Sequence, residues 1–296
     1  AAPSRMRLIM DQSDLNLPTA DDSIERIALE DYLARRFRQQ LRRSGRRGSG
    51  SGKSGQIEID AGGQQILERT ACRLTGGRVE LRISVGLPAR GRTVLGGTAN
   101  QLLSDNLPKM ARAALILQDN NEAARFIRTA VDAEALRTEL VKRHLVAFVA
   151  NGAKLPRQSG VSDRPLHGEV VPFQSPASLE VTLNTPHAGP VTGMGVPSGV
   201  TLIVGGGFHG KSTLLEALSR VYNHVPEDGR EQVVARSDAV KIRSEDGRSV
   251  AGNDLSGFIG RLPLGRTTDE FSTENASGST SQAANILESL EAGSRL

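Results

Sequence analysis

The sequence predicts an α/β protein in two parts, an α+β domain followed by a domain of strand–loop–helix type, and three observations carry that prediction. Through the first 150 residues, runs with period-two alternation and runs with apolar residues at i, i+4 follow one another. From residue 151 to 199, proline and glycine break the chain into short runs. That change of texture divides it into residues 1–165 and residues 166–296. Beyond it, an apolar, β-branched run at residues 200–204 reads as a buried strand. It leads directly into Gly205-Gly-Gly-Phe-His-Gly-Lys-Ser-Thr213 and then into a run of helical composition.

Gly205 and Gly210 are separated by four residues, and Lys211-Ser212 follow at once, which satisfies the phosphate-binding loop pattern in full. Glycines let the backbone take positive φ and approach a phosphate closely. Successive N–H groups and a helix N-terminus then direct partial positive charge at the anion. The candidate nucleotide contacts are Gly205, Gly206, Gly207, Phe208, His209, Gly210, Lys211, Ser212 and Thr213. An ordinary glycine-rich turn needs neither the strand before nor the helix after, so the chain is read as binding a nucleoside triphosphate. A second stretch, Gly48-Ser-Gly-Ser-Gly-Lys-Ser54, imitates the motif. It has only three residues between Gly48 and Gly52 and no apolar strand before it, so it is rejected.

Composition sets further bounds. With 38% hydrophobic and 24% charged residues, the chain reads as globular. Aromatics are 3% with no Trp, so any base stacking falls to a few Phe, Tyr, His or arginine planes. A single cysteine, Cys72, excludes an intrachain disulfide and a Cys-based metal site. No apolar run approaches membrane-span length, so no membrane partner is expected. A reducing compartment follows, the cytoplasm or an organellar matrix.

Taken in order, residues 6–10 read as a strand and residues 23–43 as a helix, with Asp22 as its cap. The far end of that helix is basic: Arg35, Arg36, Arg38, Arg42, Arg43, Arg46, Arg47 and Lys53 lie in an acid-free stretch. They are the nucleic-acid candidates, set against the plainer reading of a solvated surface, and residues 44–55 form a Ser/Gly-rich flexible loop. Residues 56–60 read as a strand, and residues 68–74 and 78–87 as a hairpin turning at Gly76-Gly77. Helices are predicted over residues 100–117, split by Pro108, and over residues 121–142. Strands follow at residues 145–150, 178–183, 232–235 and 239–242, and residues 248–254 read as turns. Residues 272–282 open a last helix with Ala283, Ile286, Leu287 and Leu290 on one face and Gly293 past its end.

Several blocks together resemble one family, the predicted ATPases of the ABC class. They are Arg26-Ile-Ala-Leu-Glu-Asp-Tyr-Leu-Ala-Arg-Arg-Phe37, Ile57-Glu-Ile-Asp-Ala-Gly-Gly-Gln64, the phosphate loop, Asp238-Ala-Val-Lys-Ile-Arg-Ser-Glu-Asp-Gly-Arg-Ser-Val250 and Phe271-Ser-Thr-Glu-Asn-Ala-Ser-Gly-Ser-Thr-Ser-Gln282. The resemblance covers nearly the whole chain. It implies a family-specific N-terminal domain, an ABC-like P-loop NTPase domain, ATP and Mg²⁺ as cofactors, a homodimer of the intact protein, and RNA-related work. It also implies that Lys211 reaches the β- and γ-phosphates and that Ser212 is the Mg²⁺ ligand. Ser277, Gly278, Ser279 and Thr280 would be the signature that contacts a partner's nucleotide.

Three departures from the family pattern stand out. In such ATPases, the strand bearing the Walker B aspartate and catalytic carboxylate begins where this chain stops at Leu296. Gln232 lies too near the loop for the usual glutamine position, and no aromatic between Phe173 and the loop is placed for adenine. None of Glu245, Asp246 and Glu274 follows an apolar strand, so no catalytic acid is assigned. The chain therefore reads as an internal fragment of a longer ATPase, expected to bind ATP weakly and not to turn it over by itself. The alternative is an RNA-binding protein whose nucleotide site is structural or regulatory. A small-molecule P-loop kinase is disfavoured, because such kinases have no ABC-like signature.

Overall fold

The computed structural model describes residues 2–44, 52–220, 222–262 and 267–294. It mixes helices and sheets throughout, the α/β class that the sequence predicts. Two compact units are present. One comprises Ala1–Glu139, Phe148–Gly195 and Tyr222–Val234; the other comprises Leu140–Ala147, Val196–Val221 and Ala235–Leu296.

In the first unit, strand Ser4–Asp11 pairs antiparallel with Arg78–Val85 along its whole length, from Ser4 opposite Val85 to Asp11 opposite Arg78. The other edge of Arg78–Val85 takes Cys72–Thr75 and Ile57–Glu58. Gly76 and Gly77 make the two-residue turn between Thr75 and Arg78 at φ 59° and 72°. Positive φ at both central residues is what a type I′ hairpin requires, and glycine meets it without strain. Helix Ser23–Arg43 covers the apolar side of this sheet. The Asp22 carboxylate accepts the N–H groups of Ile24 and Glu25 at 2.8 and 2.9 Å, as its N-cap position demands. Leu29, Leu33 and Phe37 are fully buried and share one core with Val79, Leu81, Leu107 and Leu115.

Pro108 does not split its helix, which runs without a gap from Gly96 to Leu115 through three segments. It sits in the first turn of the last of these, Leu107–Leu115. The six residues before it, Gln101–Asn106, are π-helical and continue a short helix Gly96–Asn100. Helix Asn121–Lys142 and strand Leu145–Ala150 match their sequence expectations, and the strand is buried along its whole length.

A second sheet orders its strands as Glu180–Thr185, Gly189–Pro197, Leu145–Ala150 and Val233–Ala235. The sequence reading assigns no strand to residues 189–197, which lie in the stretch that Gly and Pro interrupt. The glycine there is a packing device. A Cβ on Gly193 would stand 2.3 Å from the Val149 carbonyl oxygen and 2.9 Å from the Phe148 ring, so only glycine lets the two backbones approach.

The second unit contains helix Lys211–Leu218, the antiparallel strand pair Arg248–Asn253 and Phe271–Ala276, and helix Gly278–Glu291. Val250, Leu255, Phe271, Ala276, Ala283 and Ala284 form its core. Four expectations are corrected here. Residues 248–254 are largely strand, because pairing with Phe271–Ala276 buries Val250 despite the turn-forming residues around it. Residues 272–276 belong to that partner strand, and the last helix starts only at Gly278. Leu290 is exposed, with Ala284 on the buried face instead. Residues 200–204 and 239–242 are irregular, and no described strand pairs with either. Val200, Leu202 and Val204 are exposed. An apolar run becomes a strand only when a neighbour takes its N–H and C=O groups, so apolar composition was insufficient.

Candidate nucleotide site

The phosphate loop is built as its glycines require. Gly205 has φ 144° and Gly210 has φ 80°, and Gly210 is the left-handed N-cap of helix Lys211–Leu218. Phe208 also lies at positive φ, 62°, with its ring fully exposed. The Lys211 ammonium folds back over the loop, donating to the Gly205 carbonyl at 2.7 Å and to the Gly206 carbonyl. The His209 ring lies against Gly206, whose Cβ would come within 3.0 Å of it. Residues 205–210 and Ser212 are exposed, and Thr213 is half-buried. The N–H groups of a helix's first turn have no acceptor within the helix. Those of the helix starting at Lys211 therefore lie beside a lysine charge on an open loop, an arrangement that fits a polyphosphate.

The second candidate lies at the start of helix Gly278–Glu291, which Ser277 caps in an extended conformation. The Ser277 hydroxyl stands 3.1 Å from that of Thr280 and 3.3 Å from that of Ser279. Ser277 and Ser279 are exposed, whereas Thr280 is buried. Gly278 packs closely on a neighbour, since a Cβ there would stand 2.3 Å from the Ser244 hydroxyl, which would have to turn away. Buried Ser281 pins the same neighbour. Its hydroxyl accepts the Glu245 N–H at 3.0 Å and donates to the Gly278 carbonyl at 3.1 Å.

Sequence reading missed this use of the segment around Ser244. Farther along it, Lys241 pairs with Glu216 on the phosphate-loop helix and holds that carboxyl below its usual range. One segment, residues 241–245, thus touches both candidate elements of the second unit. The regular spacing of helices and strands gives no signal for such a strap.

Two family models cover the chain from end to end. Residues 119–296 match the P-loop domain of the ABC_ATPase family, and residues 1–118 match the N-terminal domain of ATPases of the ABC class. The chain belongs to the ATPases of the ABC class. The match supports ATP binding and hydrolysis as its activity. No curated protein matches the chain.

The basic cluster of this ABC-class ATPase divides in two. Arg35 pairs with the fully buried Asp31 side chain at 2.5 Å and donates to the carbonyls of Gly62, Gly63 and Gln65. Arg38 donates to the carbonyls of Ala61 and Gly62 at 2.6 and 2.8 Å. Arg36 donates to the Ala114 carbonyl at 2.8 Å and to the Tyr32 hydroxyl at 3.3 Å. These three were expected on a nucleic-acid surface. They instead hold the backbone of residues 61–65 and the end of helix Leu107–Leu115. Arg42, Arg43 and Lys53 are exposed, and no ion pair involves them among the described residues. Arg46 and Arg47 lie outside the described residues.

The first unit also has a cleft of about 410 Å³ beside Asn151 and Gly229. Three of its four charged groups are engaged: Asp132 accepts the N–H groups of His187 and Ala188, and Arg125 pairs with Glu227 at 2.5 Å. Among the described residues, no helix is long and apolar enough to cross a membrane.

Proposed function

We propose that this chain binds ATP with Mg²⁺ on residues 205–213 and that two copies associate around the nucleotide. The observation that carries the reading is the Lys211 ammonium, held over an open glycine loop whose helix begins at the same residue. Lys211 would contact the β- and γ-phosphates, and the Ser212 hydroxyl is the oxygen donor suited to a hard cation. Mg²⁺, when bound, neutralises charge on the phosphate oxygens. Gly205 and Gly210 keep the backbone low enough for the loop N–H groups to face the same oxygens.

We place Ser277, Gly278, Ser279 and Thr280 at that nucleotide: the exposed Ser277 and Ser279 hydroxyls and the N–H groups of the helix start at residues 278–280 suit an anion arriving from a second copy. The reading is tested by Ser277→Arg. The variant should bind ATP as tightly as the wild type yet remain a monomer with ATP in sedimentation velocity. An ATP-dependent dimer of the variant would remove Ser277 from the interface. RNA is the polyanion to which we assign the ATPase's work, supported by exposed Arg42, Arg43 and Lys53 in a stretch without acids.

A further inference from the structure

Residues 32–57 and residues 81–104 contain no Asp or Glu, and the structure fastens one stretch to the other. Gly55 donates its N–H to the Gly86 carbonyl at 2.6 Å, and Gly86 donates to the Gln56 carbonyl at 2.8 Å. The buried Ser54 hydroxyl accepts the Ala89 N–H at 3.0 Å. Gly86 makes the approach possible: a Cβ there would stand 1.7 Å from the Lys53 carbonyl oxygen. Immediately beyond this seam the chain turns back on itself in a small hairpin, with Ala89 opposite Val94 and Arg90 opposite Thr93. Gly91 at φ 59° occupies the first central position of its two-residue turn, and Arg92 occupies the second.

We infer that hairpin Ala89–Val94, together with Lys53, is a docking surface for the phosphate backbone of RNA; this rests on the RNA reading above. Arg90, Arg92 and Lys53 are exposed, and no ion pair engages any of them among the described residues. The charge is therefore uncompensated locally, unlike that of Arg35, whose guanidinium is occupied by Asp31 and by backbone. Two guanidinium forks on either side of a glycine present planar donors that match phosphate oxygens in pairs. Residues 81–104 contain no aromatic side chain and no histidine, so the surface offers no aromatic platform for base stacking. It reads the backbone and not the sequence. An acidic protein or an anionic lipid surface shares the negative charge. The Arg pair favours phosphate over carboxylate-coated protein only through geometry, so both rivals enter the test.

The test uses the full chain and a fluorescent single-stranded RNA of mixed sequence, titrated between about 50 and 200 mM salt. Arg90→Glu/Arg92→Glu/Lys53→Glu should lower RNA affinity more than about tenfold at the low-salt end. Losing three phosphate contacts should also flatten the logarithmic salt slope by about 2, at roughly 0.7 per contact for single strands. Arg90→Gln/Arg92→Gln/Lys53→Gln should flatten it equally. ATP affinity and the thermal midpoint should stay unchanged, because the exposed tip contributes to neither. Equal RNA affinity and slope in wild type and both variants would overturn the surface while leaving the RNA reading intact. A wild type that binds no RNA would overturn both. Binding of phosphatidylserine vesicles or polyglutamate at least as tightly as RNA would assign the hairpin to a different partner and overturn the inference.

Discussion

Replacing Lys211 by alanine is expected to lower ATP–Mg²⁺ affinity by about tenfold to a hundredfold in titration calorimetry. Charge-assisted hydrogen bonds contribute about 1.5–3 kcal/mol, and about 1.4 kcal/mol is tenfold in affinity. The structure adds a second reason. The same ammonium gathers the Gly205 and Gly206 carbonyls, so its loss frees the loop as well as removing a charge. Lys211→Arg keeps the charge but replaces a compact ammonium with a wide planar fork, and it should fall between the two. The fold should survive both changes, because Lys211 reaches only the exposed loop. An alanine variant that binds within twofold of wild type would place the triphosphate elsewhere.

Arg35→Ala is expected to cost about 3–5 kcal/mol of stability, read from urea unfolding, as breaking a buried pair does when one partner stays behind. The guanidinium joins Asp31 to three carbonyls of residues 62–65, and a Cβ on Gly62 would come within 2.7 Å of it. Arg35→Lys should not rescue the loss, since one ammonium does not span that set of acceptors. By contrast, Arg42→Ala lies on exposed surface and should change stability by less than about 0.5 kcal/mol. Burial pushes the Asp31 carboxyl above its usual range, while Arg35 pulls it down. A native carboxyl raised in this way holds more protons than the unfolded one, so its contribution to stability rises as pH falls through the raised value. Removing Arg35 should steepen that rise. A variant as stable as wild type, with the same pH profile, would show that the arginine is merely a surface charge.

Local rules made much of this molecule legible. Asp22 caps the helix that its position announces, and Gly76-Gly77 turns the hairpin. Each of these effects acts within a few residues. What escaped is decided at long range. Arg35 and Arg38 looked like surface charge because nothing in their own stretch reveals the carbonyls of residues 61–65. Gly193 looked like a strand breaker because its partner, the backbone near Val149, lies more than forty residues earlier. Residues 200–204 show the converse: composition predicts a strand, but pairing decides it. The phosphate loop was legible because its chemistry requires a fixed spacing of glycine, lysine and serine. The strap from Lys241 to Glu245 was not, because its contacts on Glu216 and Ser281 follow no period.

The central claim is that a phosphate loop of one copy and a Ser277–Gly278 turn of another complete one ATP site. Sedimentation velocity with ATP–Mg²⁺ tests it most directly, using Lys211→Ala and Ser277→Arg alone and then mixed in equal amounts. Each variant alone should stay monomeric, the first because its loop binds ATP poorly and the second because its turn rejects the partner's phosphate. Mixed, they should form an ATP-dependent dimer, since the intact loop of one meets the intact turn of the other. Dimers from either variant alone, or none from the mixture while wild type dimerises, would contradict the shared site.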